Sequence, residues 1–335
     1  MNIETLQKTP QAANIAHSKL DQLKSMTKVV ADTGDIEAIK TYQPVDCTTN
    51  PSLVLKAMDL AAYDHIFKDA VAWGKRQSGK RDAVASAVAG RLPIEIGAEL
   101  ARIVPGRVST EVDADLSFDV KRSIARAHEI IAAYKERGVD KEKILIKLAS
   151  TWEGAKAASL LEKEGIHCNM TLLFCLSQAV VCFRAGATLI SPFVGRIYDW
   201  YVKHDGHDFS PADDPGVLSV KRIYAYAKRH GHQTTVMGAS FRNVGQVEAL
   251  AGCDALTIAP GLLDALSKDK GKLERQLDPE KSARQRIGRI SLNERSFRWA
   301  LNEDAMATEK LAEGIRLFAA DLGKLRQEVA KRLGA

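Results

Sequence analysis

The distribution of apolar residues along the chain predicts short strands that alternate with amphipathic helices. Several stretches of seven to nine residues are dense in aliphatic and β-branched side chains, and polar or turn-forming residues separate them. Such runs are typical of strands that are buried on both faces of a parallel sheet. The predicted strands cover residues 28–34, 45–52, 107–114, 144–151, 167–174, 187–195, 233–240 and 254–261.

Helical periodicity fills the segments between these strands. Apolar residues recur every three to four positions over residues 117–136, and Gly138 then ends the pattern. Other helices are predicted over residues 1–27, from 52 to about 103, over 151–164, up to 184, up to about 229 and after 261. The last segment carries one apolar stripe, formed by Leu311, Ile315, Phe318, Leu322, Leu325, Val329 and Leu333.

The alternation of eight strands with helices predicts an α/β fold, a single (β/α)8 TIM barrel. The extra helices fall at the N-terminus, between strands two and three, and at the C-terminus. An open doubly wound sheet is the alternative, but it usually carries a glycine-rich phosphate turn. Neither G-x-G-x-x-G nor G-x-x-x-x-G-K-[ST] occurs in the chain. Because no repeat or interdomain linker interrupts the pattern, we predict one domain over residues 1–335.

Lys147 stands in the middle of the most apolar strand, ILIKLAST, over residues 144–151. Lysine is seldom fully buried unless its charge is compensated. The ordinary alternative is a lysine whose ammonium reaches water, but this strand is too apolar and too central to favour it. Burial lowers the pKa of a lysine and can leave a neutral amine that attacks carbonyl groups to form a Schiff base. Lys147 is therefore a candidate catalytic nucleophile.

Polar residues recur near the carboxyl ends of the predicted strands. Side chains alternate across a strand, so residues two positions apart share a face. The residues predicted to share the interior face are Asp32, Thr48, Asn50, Ser109, Glu111, Asp113, Lys147, His167, Asn169, Thr171, Ser191, Phe193 and, with Val236 and Gly238, Ser240. The same alternation puts Leu172 on the opposite, helix-facing side. Any one of the polar residues is more often a hydrogen-bonded residue at a strand end. Together they favour an active site, because a barrel interior is normally filled by branched apolar side chains.

Composition and charge narrow the functional classes. Hydrophobic residues make up 45% of the 335 residues, charged residues 27%, and the net charge of +6 is not concentrated in a basic arm. We therefore expect no nucleic-acid partner, whereas a slight positive excess suits a small anionic substrate. The longest apolar stretch, residues 170–183, is too short and too polar for a membrane span, and the first thirty residues contain no signal core. The five cysteines form no C-x-x-C pair, which suits reduced thiols and a cytoplasmic location.

Two arginines and two histidines are candidates for ligand binding. Arg196 and Arg242 follow strands six and seven and could clamp a phosphate, although either alone is more often a surface salt-bridge residue. His204 and His207 lie in a polar loop, and the histidines show no metal-ligand spacing. We therefore expect no metal.

Motifs along nearly the whole chain resemble those of the transaldolases of the pentose phosphate pathway, of the longer bacterial and eukaryotic type. They occur in the family's order, and together they are highly specific. The motifs are ADTGD (31–35), TTNPS (48–52), VPGRVSTEVDA (104–114), ILIKLASTWEG (144–154), GIHCNMTLLF (165–174), LISPFVGRIYDWY (189–201), VMGASFRN (236–243), AGCDALTIAP (251–260) and KLAEGIRLFAAD (310–321).

The resemblance implies a class I, Schiff-base transferase without metal or organic cofactor. Such an enzyme moves a dihydroxyacetone unit from sedoheptulose 7-phosphate to glyceraldehyde 3-phosphate, giving erythrose 4-phosphate and fructose 6-phosphate. By the same resemblance, Lys147 forms the Schiff base and Asp32 moves the proton of the C4 hydroxyl. Glu111 and Thr171 hold a water for carbinolamine dehydration. The residues expected to bind substrate are Asn50, Asn169, Ser191, Phe193, Arg196, Ser240 and Arg242.

Two other functions stay open at the level of sequence. A related Schiff-base aldolase that releases free dihydroxyacetone would use the same lysine and barrel. A non-catalytic sugar-phosphate-binding barrel would need the arginines but not Lys147, and the presence of Asp32 and Glu111 beside it argues against this possibility. A homodimer is a further expectation from the resemblance.

Overall fold

Eight parallel strands close into a barrel in the computed structural model, which describes residues 17–334. Each strand pairs with the next one in the chain, and the eighth pairs with the first. The (β/α)8 prediction is confirmed, and the open doubly wound sheet is excluded. The strands are β1 (Lys28–Asp32), β2 (Asp46–Thr48), β3 (Val108–Glu111), β4 (Ile144–Ala149), β5 (Cys168–Leu173), β6 (Leu189–Pro192), β7 (Thr235–Gly238) and β8 (Ala255–Ile258).

Helices surround the barrel, with the additional ones where the sequence predicts them. They are α1 (Lys19–Lys24), α2 (Ile36–Tyr42), α3 (Pro51–Ala57), α4 (Asp64–Lys75), α5 (Arg81–Ile103), α6 (Val120–Glu136), α7 (Trp152–Lys163), α8 (Leu176–Arg184), α9 (Gly195–Asp205), α10 (Pro215–Arg229), α11 (Val244–Glu248), α12 (Pro260–Lys268), α13 (Pro279–Ala283), α14 (Glu294–Glu303) and α15 (Ala305–Gly334). Residues 1–16 of the predicted N-terminal helix lie outside the described residues.

The prediction of a wholly helical segment after strand eight is wrong in two places. Residues 269–278 and 284–293 are not α-helical. Residues 269–278 contain six charged residues, and residues 284–293 contain three arginines. Neither stretch has an apolar stripe, so a helix there would bury little apolar surface.

Several helices begin directly after a strand because the connecting residue caps the helix. Asn50 accepts a hydrogen bond from the Leu53 amide (2.9 Å) and is followed by Pro51 in the first turn of α3. Thr151 caps α7 in the same way through the Gly154 amide (2.9 Å). These caps fix the turns at the carboxyl ends of β2 and β4, where the cavity described below opens.

The barrel interior is filled at its amino-terminal half by an apolar cluster, here called the plug. Its members come from five strands and are Val30, Leu145, Leu189, Met237 and Ala255. All are buried, with 4% exposure or less. The opposite faces of the strands pack on the helices in the main core. The plug therefore closes the barrel from below, and only the carboxyl half of its interior can hold a ligand.

The long helix α15 packs across the carboxyl end of the barrel. Of the predicted stripe, Leu311, Ile315, Phe318, Leu322, Leu325 and Val329 are buried, and Leu333 is half-buried. Helix α15 comes close to β5 at Gly314, where an added Cβ would lie within 2.6 Å of the Leu172 side chain. The helix-facing position predicted for Leu172 is wrong. Its φ of +51° accompanies a register shift in β5 and turns the side chain into the cluster beneath α15.

Candidate active site

A small cavity of about 70 Å³ opens at the carboxyl ends of the strands, directly above the plug. Its lining comes from seven strands or the turns that follow them and from α15. The lining residues are Asp32, Thr48, Asn50, Lys147, Thr171, Ser191, Phe193, Arg196, Ala239, Ser240, Thr257 and Phe318. Most residues predicted from the sequence as one site are therefore brought to one place by the fold.

Lys147 is buried in the cavity wall, with a side chain that is only 6% exposed. Its Nζ donates to the carbonyl oxygen of Thr49 (3.3 Å) and lies 3.7 Å from Oε2 of Glu111. Lys147 and Glu111 are aligned partners in the β3–β4 pairing, so the sheet itself sets this approach. Burial raises the pKa of Glu111 to about 7, although the Lys147 and Arg196 charges oppose this shift. The carboxyl group can therefore both hold and release a proton near neutral pH.

Asp32 lies at the carboxyl end of β1 and is half-buried. Its Oδ1 accepts a hydrogen bond from the Thr48 hydroxyl (2.9 Å), whose oxygen lies 2.9 Å from that of Thr257. Burial raises the pKa of Asp32, and Lys147 is the strongest opposing influence. Two carboxyl groups with raised pKa values thus flank one buried amine, an arrangement suited to proton transfer.

Asn169 and Ser191 form a fixed polar layer beside Lys147. The Asn169 amide donates to the Ser109 hydroxyl (3.1 Å) and accepts from the Ser191 hydroxyl (2.6 Å). Thr171 is fully buried, and its hydroxyl makes no hydrogen bond within residues 17–334. Such an unpartnered buried hydroxyl is costly unless it binds a water or a ligand.

Asn50 contributes a different group. Its Oδ1 is used by the cap of α3, whereas its Nδ2 makes no hydrogen bond to the described residues. The amide NH₂ is thus available to an acceptor oxygen in the cavity.

The two arginines occupy unlike positions. Arg196 lies in the first turn of α9, with its guanidinium carbon 5.1 Å from the Phe193 ring centre and 5.4 Å from that of Phe318. Its Nη1 is buried and has no hydrogen-bond partner among the described residues. Burial lowers the pKa of Arg196, and the nearby Arg242 charge acts in the same direction. A desolvated cation that is held by two rings favours an anionic ligand.

Arg242 lies at the rim and is more exposed. It pairs with Asp199 (2.7 Å), and its Nη1 is 3.3 Å from the Ser240 hydroxyl. The structure therefore brings the two predicted arginines to one side of the cavity. Only Arg196 lines the cavity itself.

The predicted parity of strand seven is wrong. Met237 belongs to the plug and Ala239 lines the cavity, so Val236 and Gly238 face the helices instead. Ser240 nevertheless reaches the cavity, because it lies beyond β7 and adopts a left-handed backbone (φ +61°). The alternation rule fails there because the residue is no longer in the strand.

Two residues of the predicted interior face, His167 and Asp113, lie apart from the cavity. His167 precedes β5, and its ring lies 3.1 Å from the Glu142 carboxylate and 2.9 Å from the Thr188 hydroxyl. Asp113 follows β3 and contacts Arg126 (3.6 Å) and Arg326 (3.4 Å). His204 and His207 are exposed, and no group of three or more potential metal ligands occurs within residues 17–334. No helix in the same part of the chain has the length and apolar character needed to cross a membrane.

The cavity also contains three residues that the sequence does not predict there: Thr257, Ala239 and Phe318. Thr48, in contrast, is predicted on the interior face by its parity with Asn50, and it lines the cavity. Phe318 belongs to the apolar stripe of α15, where its period indicates only packing. Thr257 and Ala239 carry no sequence signal, because small residues at strand ends are common.

Comparison with known proteins agrees with this geometry. A family model described as "Transaldolase/Fructose-6-phosphate aldolase" matches residues 29–329. A transaldolase of Rhizobium etli is 63% identical over 316 residues, 94% of this chain and 98% of the relative. A transaldolase of Agrobacterium fabrum is 62% identical over 318 residues (95% and 98%), and one of Marinomonas is 56% identical over 316 residues (94% and 99%). The chain therefore belongs to the transaldolase/fructose-6-phosphate aldolase family.

Proposed function

We propose that the protein is a transaldolase, a transferase that moves a dihydroxyacetone unit between sugar phosphates. The donor is sedoheptulose 7-phosphate and the acceptor glyceraldehyde 3-phosphate, and the products are erythrose 4-phosphate and fructose 6-phosphate. The observation that carries this proposal is the buried Lys147 amine beside Glu111, in a cavity that also contains Asp32. The similarity to relatives named transaldolase supports the transferase over a free aldolase.

The reaction begins at the donor's C2 carbonyl. The Lys147 amine adds to this carbon, and the resulting carbinolamine loses its oxygen as water to give an iminium. Glu111 supplies and recovers the protons of this dehydration, which its pKa near 7 permits. Thr171 has a free hydroxyl suited to orienting the water that carries them.

Carbon–carbon cleavage follows at C3–C4. Asp32 takes the proton of the C4 hydroxyl, the C3–C4 electron pair moves into the iminium, and erythrose 4-phosphate leaves as the aldehyde. The three-carbon enamine stays on Lys147. The acceptor aldehyde then reacts with the enamine carbon, Asp32 returns its proton to the new hydroxyl, and water releases fructose 6-phosphate.

Substrate contacts divide between the two sides of the cavity. Asn50, Asn169 and Ser191 offer neutral hydrogen bonds to the hydroxyl groups of the three-carbon unit. Arg196, with Ser240 and Arg242 at the rim, binds the phosphate; the uncapped start of α9 adds favourable backbone dipoles. Phe193 holds the Arg196 guanidinium at its place.

The deciding experiment combines trapping with transfer. Incubation with fructose 6-phosphate and borohydride, followed by peptide mass mapping, is expected to find a reduced three-carbon adduct on Lys147. Without an acceptor, a transaldolase retains this unit, whereas an aldolase releases free dihydroxyacetone on every turnover. Steady release of dihydroxyacetone would contradict the transferase proposal, and absence of any adduct would contradict the Schiff base.

We also propose that the protein forms a homodimer and that it is located in the cytoplasm. The exposed large apolar side chains Phe118, Trp299 and Leu317 are available for a subunit contact. Sedimentation equilibrium tests the dimer directly, since a monomeric mass at micromolar concentration would contradict it.

A further inference from the structure

A strongly basic cleft lies outside the candidate active site. It has a volume of about 780 Å³ and is bounded by α10, by residues 275–278, by α13 and by residues 285–288. The cations that line it are Lys221, Arg222, Arg275, Lys281 and Arg286. None of them forms an ion pair with a described residue.

The cleft belongs to the other end of the barrel. The amides of Gln276 and Leu277 donate to the carbonyl oxygen of Ala251 (2.8 and 2.9 Å), which lies shortly before β8 begins. This segment is therefore anchored at the amino-terminal end of β8, whereas the cavity around Lys147 opens at the carboxyl ends. A ligand in the cleft would not compete directly with the sugar phosphates.

The charges of the cleft are not balanced from within. Asp278 is the one carboxylate among its lining residues in the described chain, and its Oδ1 already accepts from the Lys281 amide (2.9 Å) as the cap of α13. Grouping five like charges around one cleft costs free energy in the free protein and focuses a positive potential in it. A bound polyanion would remove that repulsion.

The lining also indicates the kind of anion. Gln276, Ser282 and Gln285 add neutral donors, and no aromatic side chain of the described residues is available to stack on a nucleobase. The volume falls within the range of small-molecule sites. We propose that this cleft binds a small anion that carries two or more phosphate groups, separately from the active site.

Isothermal titration calorimetry of the full chain with inorganic tripolyphosphate tests this proposal at about 0.15 M salt. One saturable site per chain is expected. The double variant Arg222→Gln/Arg286→Gln should bind at least about tenfold more weakly. Neither side chain makes a hydrogen bond to a described residue, so the fold should be retained.

Two controls make the result decisive. Lys121→Gln/Arg122→Gln removes the same charge from exposed positions on α6 and should change the dissociation constant by no more than about twofold. Arg196→Gln should leave the binding intact. Absence of a saturable site, an equal loss in both double variants, or loss in Arg196→Gln would each overturn the proposal; the last would assign the ligand to the active site.

A second observation concerns the hydroxyl chain that ends on Asp32, and this inference rests on the proposed role of Asp32. An ionised carboxylate only accepts hydrogen bonds, so Thr48 must use its single proton to donate to Asp32 (2.9 Å). The contact between Thr48 and Thr257 (2.9 Å) must then be donated by Thr257. We infer that Thr257 is a positioning residue, which fixes the Thr48 hydroxyl toward Asp32 from β8, on the other side of β1.

Thr257→Val keeps the shape of the buried side chain but removes this donor. Turnover is expected to fall about fivefold, and the acid limb of kcat/KM should move to higher pH, because the Asp32 carboxylate loses support. Borohydride labelling of Lys147 should proceed at the normal rate, and Thr257→Ser should restore both properties.

An unchanged pH profile in Thr257→Val, or equal losses in labelling and transfer, would overturn the inference. An error in the proposed role of Asp32 can be told apart from an error in the inference about Thr257. If Asp32→Asn retained full turnover, the role of Asp32 itself would be wrong, whatever Thr257 does.

Discussion

The two halves of the barrel interior are built by the same faces of the same strands, yet their chemistry is opposite. In β1, β4 and β6 the plug residues Val30, Leu145 and Leu189 precede cavity residues by two positions: Asp32, Lys147 and Ser191. Two residues of a strand span roughly 6–7 Å. A dry, close-packed layer and a reactive polar layer are thus stacked within one barrel.

The polar layer depends on the plug for its support. Burying an amine and two carboxyl groups is costly, so the polar layer contributes little to stability by itself. The plug beneath it is apolar and fully buried, and it fixes the backbones from which the polar side chains project. Substitutions in the upper layer should therefore change chemistry, and substitutions in the lower layer should change stability.

The largest loss of activity is expected from a substitution of Lys147 in the polar layer. Lys147→Ala should abolish both transfer and borohydride labelling while the protein stays folded, because Lys147 supplies the one amine among the cavity-lining residues of the described chain. Peptide mapping checks the site of labelling. Lys143→Ala, immediately before the same strand, is the control and should retain both. A label on another lysine would show that Lys147 is not the nucleophile.

Next in size is Asp32→Asn, which keeps the size and hydrogen bonding of the side chain but removes the proposed base. Turnover should fall on the order of 10²–10⁴-fold. The imine should still form, so reduction should trap the intact donor ketose on Lys147, whereas the wild type traps mainly a three-carbon fragment. Mass spectrometry reads the difference.

Asp46→Asn is the control for Asp32→Asn. It removes a carboxylate from the amino-terminal end of β2, away from the cavity, and should leave turnover nearly normal. A three-carbon adduct that accumulates at the normal rate in Asp32→Asn would move the role of cleavage base to Glu111.

Leu145→Ala tests the plug. Removing this buried side chain should lower the free energy of unfolding by about 2–5 kcal/mol, with little change in the turnover of the folded enzyme. Urea unfolding measures the loss. The matched control Leu160→Ala, on the exposed side of α7, should cost less than about 0.5 kcal/mol. A drop in turnover without loss of stability would contradict the division between the layers.

A smaller effect is expected in how the free energy of unfolding depends on pH, through the carboxyl group of Glu111 in the polar layer. The pKa of Glu111 is raised from its ordinary value of 4.5 to about 7 in the folded protein, so between these values the folded state holds a proton that the unfolded state has lost. Its contribution to stability is complete below pH 4.5 and is lost as the pH rises through 7, by up to about 3 kcal/mol. Glu111→Gln should flatten this slope in urea titrations at pH 5 and 8, and an identical slope in both proteins would exclude Glu111 as its source.

The smallest effects concern the arginines. Arg196→Gln should raise KM for phosphorylated donors about 10- to 150-fold, the equivalent of a charge-assisted contact, and should hardly affect unphosphorylated fructose. Arg242→Gln should do less, because Arg242 is partly exposed and shares its charge with Asp199. Steady-state kinetics on both donors checks this, and equal losses on the two donors would give the arginine a structural role.

Much of the site was predictable because strand alternation is local. Asp32, Glu111, Lys147, Asn169 and Ser191 lie in or at the end of their strands, where the period of two fixes the face of each side chain. Closure of eight strands then brings these faces together. The alternation failed at Ser240 and Leu172, whose left-handed backbone conformations depend on packing and register outside the local pattern.

What the sequence determined by itself is the strand and helix pattern, the barrel, and the family whose motifs it carries. Only the tertiary structure decided that Arg196 is buried between two rings whereas Arg242 pairs with Asp199 at the rim. It alone placed Thr257 against Thr48 and Phe318 over the cavity. The physical reason is that these contacts join residues distant in the chain, through the curvature of the closed sheet and the path of α15, and no periodicity along a sequence encodes either.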